Sequence, residues 1–179
     1  MSVAFFMYII KKMKKKSFLL ETIEFLLSSI LIVFLLIKFI LMPCVVSGGS
    51  MSPILSDGDF GYSFVVTRNL GIKRFDIVVI RINEEKLLVK RVIGLPGETI
   101  AYKNNQLFVN GIQIDEDFLG ENVLTQDMEI ILSSDEYYCL GDNRQVSRDS
   151  RYYGPFKDKE ILSSHLFVIY PFKDLGYRN

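Results

Sequence analysis

Apolar and polar positions divide the chain into two regimes. From Phe25 to Met42 the residues read FLLSSILIVFLLIKFILM, 18 positions with a single charge, which as a helix covers about 27 Å at about 1.5 Å per residue. That length predicts a transmembrane helix over 25–42. Lys38 lies near one end, where its stem can reach the headgroups, and Glu21 and Glu24 lie just before the other. After Pro43 the period shortens to β-branched and aromatic runs separated by turn formers, with no amphipathic helix of any length. Strands are predicted at Phe60–Val66, Asp76–Ile82, Leu87–Ile93, Thr99–Tyr102, Gln106–Val109, Glu136–Leu140 and His165–Tyr170. Asn104-Asn105 and Asn110-Gly111 read as tight turns, and Lys157–Ile161 as a helical turn. Together these predict an all-β barrel or sandwich over 43–179, entered directly from the helix because no repeat or Pro/Ser-rich linker intervenes.

Charge adds an orientation. Lys11 to Lys16 reads KKMKKK, and a basic cluster beside a membrane span stays cytoplasmic, so residues 1–24 are expected inside the cell and the β domain outside. A cleaved signal sequence has a shorter apolar core ending in small residues. This core ends in Met42-Pro43, and Pro43 also fits poorly the small residue that a lipoprotein reading of Cys44 requires. An uncleaved anchor is therefore the preferred reading. The opening run Val3–Ile10 is too short to span; it is an interfacial segment or lies upstream of a start at Met13, and the residues leave both open.

Composition restricts the partners. A length of 179 residues suits one folded domain, and a hydrophobic fraction of 49% with a mean hydropathy of +0.24 fits a chain partly embedded in lipid. Lys+Arg and Asp+Glu both number 21, so no global field draws in nucleic acid. Cys44 and Cys139 form no metal or disulfide motif. The lone histidine, His165, sits in the apolar run Ile161–Tyr170 and reads as a structural strand residue, with nothing near it to build a Ser-His-Asp triad. No cofactor or metal is expected.

Four stretches carry candidate chemistry. Ser47-Gly48-Gly49-Ser50-Met51-Ser52-Pro53 follows the helix closely; its glycines allow close approach of a ligand, and Ser50 could present both hydroxyl and N–H to one carbonyl. Taken alone, it reads equally as a Gly/Ser linker. In Leu87–Ile93, alternation places Lys90 with Leu88 and Val92 on one face and Arg91 with Val89 and Ile93 on the other, so one cation must face an apolar interior. Burial can lower a lysine pKa by several units while arginine stays charged, which makes Lys90 the candidate base unless the strand is an exposed edge. The loop Gly141–Arg151 is dense in hydrogen-bonding side chains: Ser147 could bond an ammonium, and Asp149 could pair with Arg151 or Arg91. Gly58-Asp59 reads as a turn without chemistry.

In order, SGGSMSP, GD, LVKRVIGLPGE and GDNRQVSRDSR resemble the characteristic boxes of bacterial type I signal peptidases. The resemblance runs from the basic stub to about Tyr170. It implies a β-rich catalytic domain on the outer face of the cell membrane that cleaves exported preproteins after small residues of the Ala-x-Ala type. By the same match Ser50 is the nucleophile and Lys90 its base, in a dyad that works without histidine. Ser147 would orient Lys90, while Asp149, Arg151 and Arg91 would brace the site. The N–H of Ser50 would be an oxyanion donor together with the backbone at Gly48. Val46, Met51, Leu55 and Val89 would line small apolar subsites that reject large side chains. The implied partners are preproteins and the lipid bilayer, with the enzyme expected to be a monomer.

Three positions depart from the family pattern. Gly48 stands where larger Gram-negative members have Ser, which leaves the oxyanion hole to backbone donors and matches the compact Gram-positive type. Phe75 stands where Gly is usual, and Ile54 where Thr is common. The interval from Gly97 to Gly141 has no room for the extra subdomain of longer members. Relatives of the endoplasmic reticulum and archaea carry His in place of Lys90, and self-cleaving repressors with a Ser-Lys dyad are soluble, so both fit less well. A catalytically idle relative assisting pilus assembly is the alternative from a different class.

Overall fold

The computed structural model describes residues 18–66, 71–84, 86–120 and 123–178. The basic cluster 11–16, the run Val3–Ile10 and Met13 lie outside the described residues. A helix spans Phe18–Ile40, 23 residues with Glu21 in its first turn, where a carboxylate complements the helix dipole. It is long and apolar enough to cross a membrane. Its bounds correct the expected 25–42. It starts a turn or more earlier, and Leu41, Met42 and Pro43 belong instead to the first strand, β1 (Leu41–Val45). Pro43 has no N–H to give a helix and steers Met42 out of the helical region.

From Ile40 onward the chain forms one compact β unit. Its strands are β2 (Phe60–Phe64), β3 (Ile77–Arg81), β4 (Leu87–Gly94), β5 (Thr99–Lys103), β6 (Gln106–Val109), β7 (Ile112–Ile114), β8 (Met128–Ile131), β9 (Glu136–Leu140), β10 (Phe156–Lys157), β11 (Ile161–Tyr170) and β12 (Gly176–Arg178). A large sheet runs β1-β2-β11-β3-β4-β9-β10, with β12 also on β11, and a small one runs β7-β6-β5-β8. All described pairings are antiparallel. The fold is all-β, as expected. Asn104-Asn105 and Asn110-Gly111 all take positive φ and close the β5–β6 and β6–β7 hairpins. The predicted helical turn is a 3-10 turn at Asp158–Glu160. Five short strands had not been expected (β1, β7, β8, β10 and β12), because two to five residues carry too little alternation to register.

Burial on the central strands is two-sided. Ile77 and Val79 of β3 join a cluster with Cys44, Val46, Met51, Leu55, Leu166 and Val168, while Val78 and Ile80 join another with Val92, Cys139 and Ile161. Strand β4 is likewise buried from Lys90 to Gly94. A third cluster, around Ile93, Ile100, Tyr102 and Leu140, joins the two sheets. With both faces of β3 and β4 covered, the alternation rule for a half-buried strand does not apply to them.

Candidate active site

The segment between β1 and β2 could have been a linker, and it is instead a self-bonded loop. Val46 donates its N–H to Asp59 O at 2.8 Å, Gly58 N–H to Val46 O at 2.9 Å, and Leu55 N–H to Met51 O at 3.0 Å. The Asp59 carboxylate, 2% exposed, accepts the Ser56 N–H at 2.8 Å, so the GD pair has a bracing role that its reading as a plain turn missed. Met51 and Leu55 plug the loop into the first core cluster. Ser50 is thereby held at the surface of a packed loop.

Lys90 approaches from β4. Its side chain is buried, and Nζ donates to Ser50 Oγ at 2.7 Å and to Val89 O at 2.9 Å. Burial lowers its pKa to about 8, although the Asp149 and Asp142 carboxylates pull the other way. Arg91 is as buried as Lys90. The expectation that only one of the two faces the interior is therefore corrected, because both faces of β4 are covered. Arg91 makes a two-pronged ion pair with Asp142, Nε to Oδ1 at 2.9 Å and Nη2 to Oδ2 at 2.7 Å, and donates Nη1 to Phe75 O at 2.8 Å. The Phe118 ring covers it at 4.1 Å. Asp142, not Asp149, is thus the partner of Arg91.

The loop Gly141–Asp149 closes the site. Asn143 donates its N–H to Ser50 O at 3.1 Å. Asp149 is buried and accepts from Gly141 N–H at 3.0 Å and from Arg151 Nε and Nη2, both at 2.8 Å. Burial works against its charge, but the Arg151 guanidinium and the Gly141 N–H hold its carboxyl below the ordinary aspartate range. The same carboxylate caps the one-turn helix Ser150–Tyr153. Ser147, expected at Lys90, makes no hydrogen bond to it among the described residues; its buried hydroxyl lies beside Gly141 and helps hold the Asp149 carboxyl down.

Gly48 also differs from expectation. Its N–H is taken by Asp57 Oδ1 at 2.7 Å, and its φ of +83° is one that favours glycine. It shapes the turn rather than offering an oxyanion donor. The N–H groups of Gly49 and Ser50 have no acceptor among the described residues.

A cleft of about 120 Å³ meets Ser50 and Lys90 and is lined by Val46, Met51 and Val89 together with Met42, Cys44 and Leu88. Leu55 does not line it; fully buried, it shares a core cluster with Met51. Met42 was hidden by its place at the end of the expected anchor, although Pro43 already signalled the helix end, and Cys44 by belonging to no motif. A larger hollow of about 220 Å³ lies at the small sheet beside Asn105, Gln113, Asp115 and Glu116, and it holds no nucleophile.

Residues 19–170 match the family model for signal peptidase, peptidase S26. The chain belongs to the signal peptidase family. It is 39% identical over 174 residues to signal peptidase I P of Bacillus subtilis subsp. natto, covering 90% of this chain and 94% of that one. Signal peptidase IB of Staphylococcus aureus strain MRSA252 is 33% identical over 184 residues, covering 92% and 95%. A crystal structure of a signal peptidase I from Enterococcus faecalis V583 superposes with a TM-score of 0.48 at 33% identity, covering 52% of this chain and 96% of that one. The signal peptidase is thus a serine endopeptidase, a hydrolase whose substrates are preproteins bearing signal peptides.

Proposed function

We propose that this signal peptidase is a single-pass membrane enzyme of the bacterial cell membrane, with Ser50 as nucleophile and Lys90 as general base. The observation that carries the reading is the 2.7 Å contact between Lys90 Nζ and Ser50 Oγ, made by a lysine whose pKa burial has lowered to about 8. Once neutral, Nζ takes the hydroxyl proton as Oγ bonds the scissile carbonyl carbon. Negative charge on the carbonyl oxygen is met by the Ser50 N–H, with the Gly49 N–H beside it. The C–N bond then breaks as Lys90 returns the proton to the leaving amine, and a water deprotonated by the again neutral Lys90 Nζ attacks the acyl carbon and releases Ser50.

Specificity follows from the cleft. A volume of about 120 Å³ walled by Val46, Met51 and Val89 suits Ala, Gly or Ser beside the scissile bond and excludes bulkier side chains. The helix Phe18–Ile40 anchors the enzyme, with the basic stub inside and the β unit outside, acting as a monomer. The Ser50–Lys90 contact favours this over an idle assembly factor. The test is purified full-length protein acting on a preprotein with an Ala-x-Ala site. Wild type cuts it, and Ser50→Ala and Lys90→Ala do not. Cleavage by Ser50→Ala would refute the nucleophile, and cleavage by Lys90→Ala would move the base elsewhere.

A further inference from the structure

The loop that closes over Ser50 has its own anchor on the other sheet. Asn143 donates its N–H to the Ser50 carbonyl at 3.1 Å, and that carbonyl lies so near Gly141 that a Cβ there would collide with it. The next residue, Arg144, has a completely buried side chain. Its guanidinium donates Nη1 to Thr125 Oγ1 at 2.7 Å and to Tyr102 Oη at 3.0 Å, Nη2 to Glu116 Oε1, and Nε to Gly141 O at 3.2 Å. Tyr102 in turn donates to Glu116 at 2.9 Å. Three of the four acceptors belong to the small sheet: Tyr102 is on β5, Glu116 follows β7 and Thr125 precedes β8. Among the described residues Asn143 is the donor to the Ser50 carbonyl, and the neighbouring position is the one bolted to the small sheet.

We infer that Glu116 and Arg144 are positioning residues. Their ion pair fixes Asn143 against the Ser50 carbonyl and so sets where Ser50 Oγ stands relative to Lys90 Nζ. The physics favours a joint of this kind. A guanidinium cannot shed its charge when buried, and its planar fork fixes direction as well as distance, so a loop tied through it has one position. A reacting hydroxyl displaced by about 1 Å loses on the order of a hundredfold in rate. Glu116 touches no substrate atom; it acts through Arg144. The inference rests on the assignment of Ser50 as nucleophile.

The test measures kcat and KM of full-length Glu116→Gln and Thr125→Val on the same preprotein, normalised to folded protein well below each variant's Tm, with Ser50→Ala in parallel. A small serine-directed acylating reagent that makes no cleft contacts serves as a second readout. Glu116→Gln is expected to lower kcat at least about tenfold with KM within about twofold, and to slow acylation of Ser50 in the same proportion. Thr125→Val removes one acceptor at constant shape and is expected to lower kcat about two- to fivefold, which keeps the inference testable should Glu116→Gln fail to fold. A kcat per folded molecule equal to wild type in both variants, or a loss confined to KM, would overturn it. Should Ser50→Ala still cleave, the nucleophile assignment itself fails. An inactive Ser50→Ala beside fully active Glu116→Gln and Thr125→Val overturns the positioning role alone.

Discussion

Lys90 and Arg91 are adjacent on β4 and equally buried, at 2% and 1% exposure, yet their surroundings differ in kind. Arg91 meets a carboxylate in two-pronged geometry, a backbone carbonyl and an aromatic face. Lys90 meets a hydroxyl and a carbonyl beside an apolar cleft, with Asp149 and Asp142 acting on it only at a distance. One cation is neutralised by a partner, and the other gives up its proton more readily, with its pKa lowered to about 8. Burial alone therefore does not make a base. A lysine with a lowered pKa also needs the absence of a contacting carboxylate, and Arg91 keeps Asp142 occupied.

The largest expected effect breaks the Lys90 side. Lys90→Met should abolish cleavage, a loss of at least about a thousandfold in kcat, while raising stability against urea by up to about 3 kcal/mol. The sign follows from the lowered pKa. Below about pH 8 the folded protein carries a buried ammonium and the full penalty; between about 8 and the ordinary lysine value of 10.5 the unfolded state binds more protons, so wild-type stability rises with pH and the variant's advantage disappears. An advantage that grew with pH across that window would contradict the burial account.

Breaking the Arg91 side should cost stability rather than chemistry alone. Asp142→Asn leaves an uncompensated guanidinium and is expected to destabilise by about 3 kcal/mol, whereas Arg91→Met combined with Asp142→Leu should recover most of that loss. Denaturant midpoints of the single and double variants decide it. If the double variant were as unstable as the single, the pair would matter beyond charge compensation.

A smaller effect sharpens the comparison at a distance. The kcat/KM of wild type should rise with pH through a single ionisation near 8. Asp149 raises the Lys90 pKa, so Asp149→Asn, which also leaves the Arg151 charge less balanced, should shift that midpoint to lower pH by a fraction of a unit. A shift upward would mean that the carboxylate acts on the dyad through loop geometry instead of charge. Smallest of all is Phe75→Gly. Phe75 sits at φ +72° with its ring edge-on to Phe118 at 5.0 Å; glycine would relieve the backbone and remove the contact, so stability should change by less than about 1 kcal/mol.

Much of this protein was legible before its structure. The apolar run at Phe25–Met42, the period change after Pro43 and the paired turn residues at Asn104-Asn105 and Asn110-Gly111 are local properties, and they determined one long helix followed by an all-β unit. Ser50 and Lys90 stood out through motif order and through the conflict between a cation and an apolar strand. Tertiary structure decided what depends on distant neighbours. Two-sided burial of β4 placed both cations inside, where alternation had expected one. The claim of Asp57 on the Gly48 N–H, the partnering of Arg91 with Asp142, the withdrawal of Ser147 from Lys90 and the tie from Arg144 to the small sheet all join residues between 9 and 51 positions apart or depend on loops that meet only on folding. Local sequence records propensity. Partner choice is set by which surfaces the folded chain brings within hydrogen-bond reach, and that no single stretch encodes.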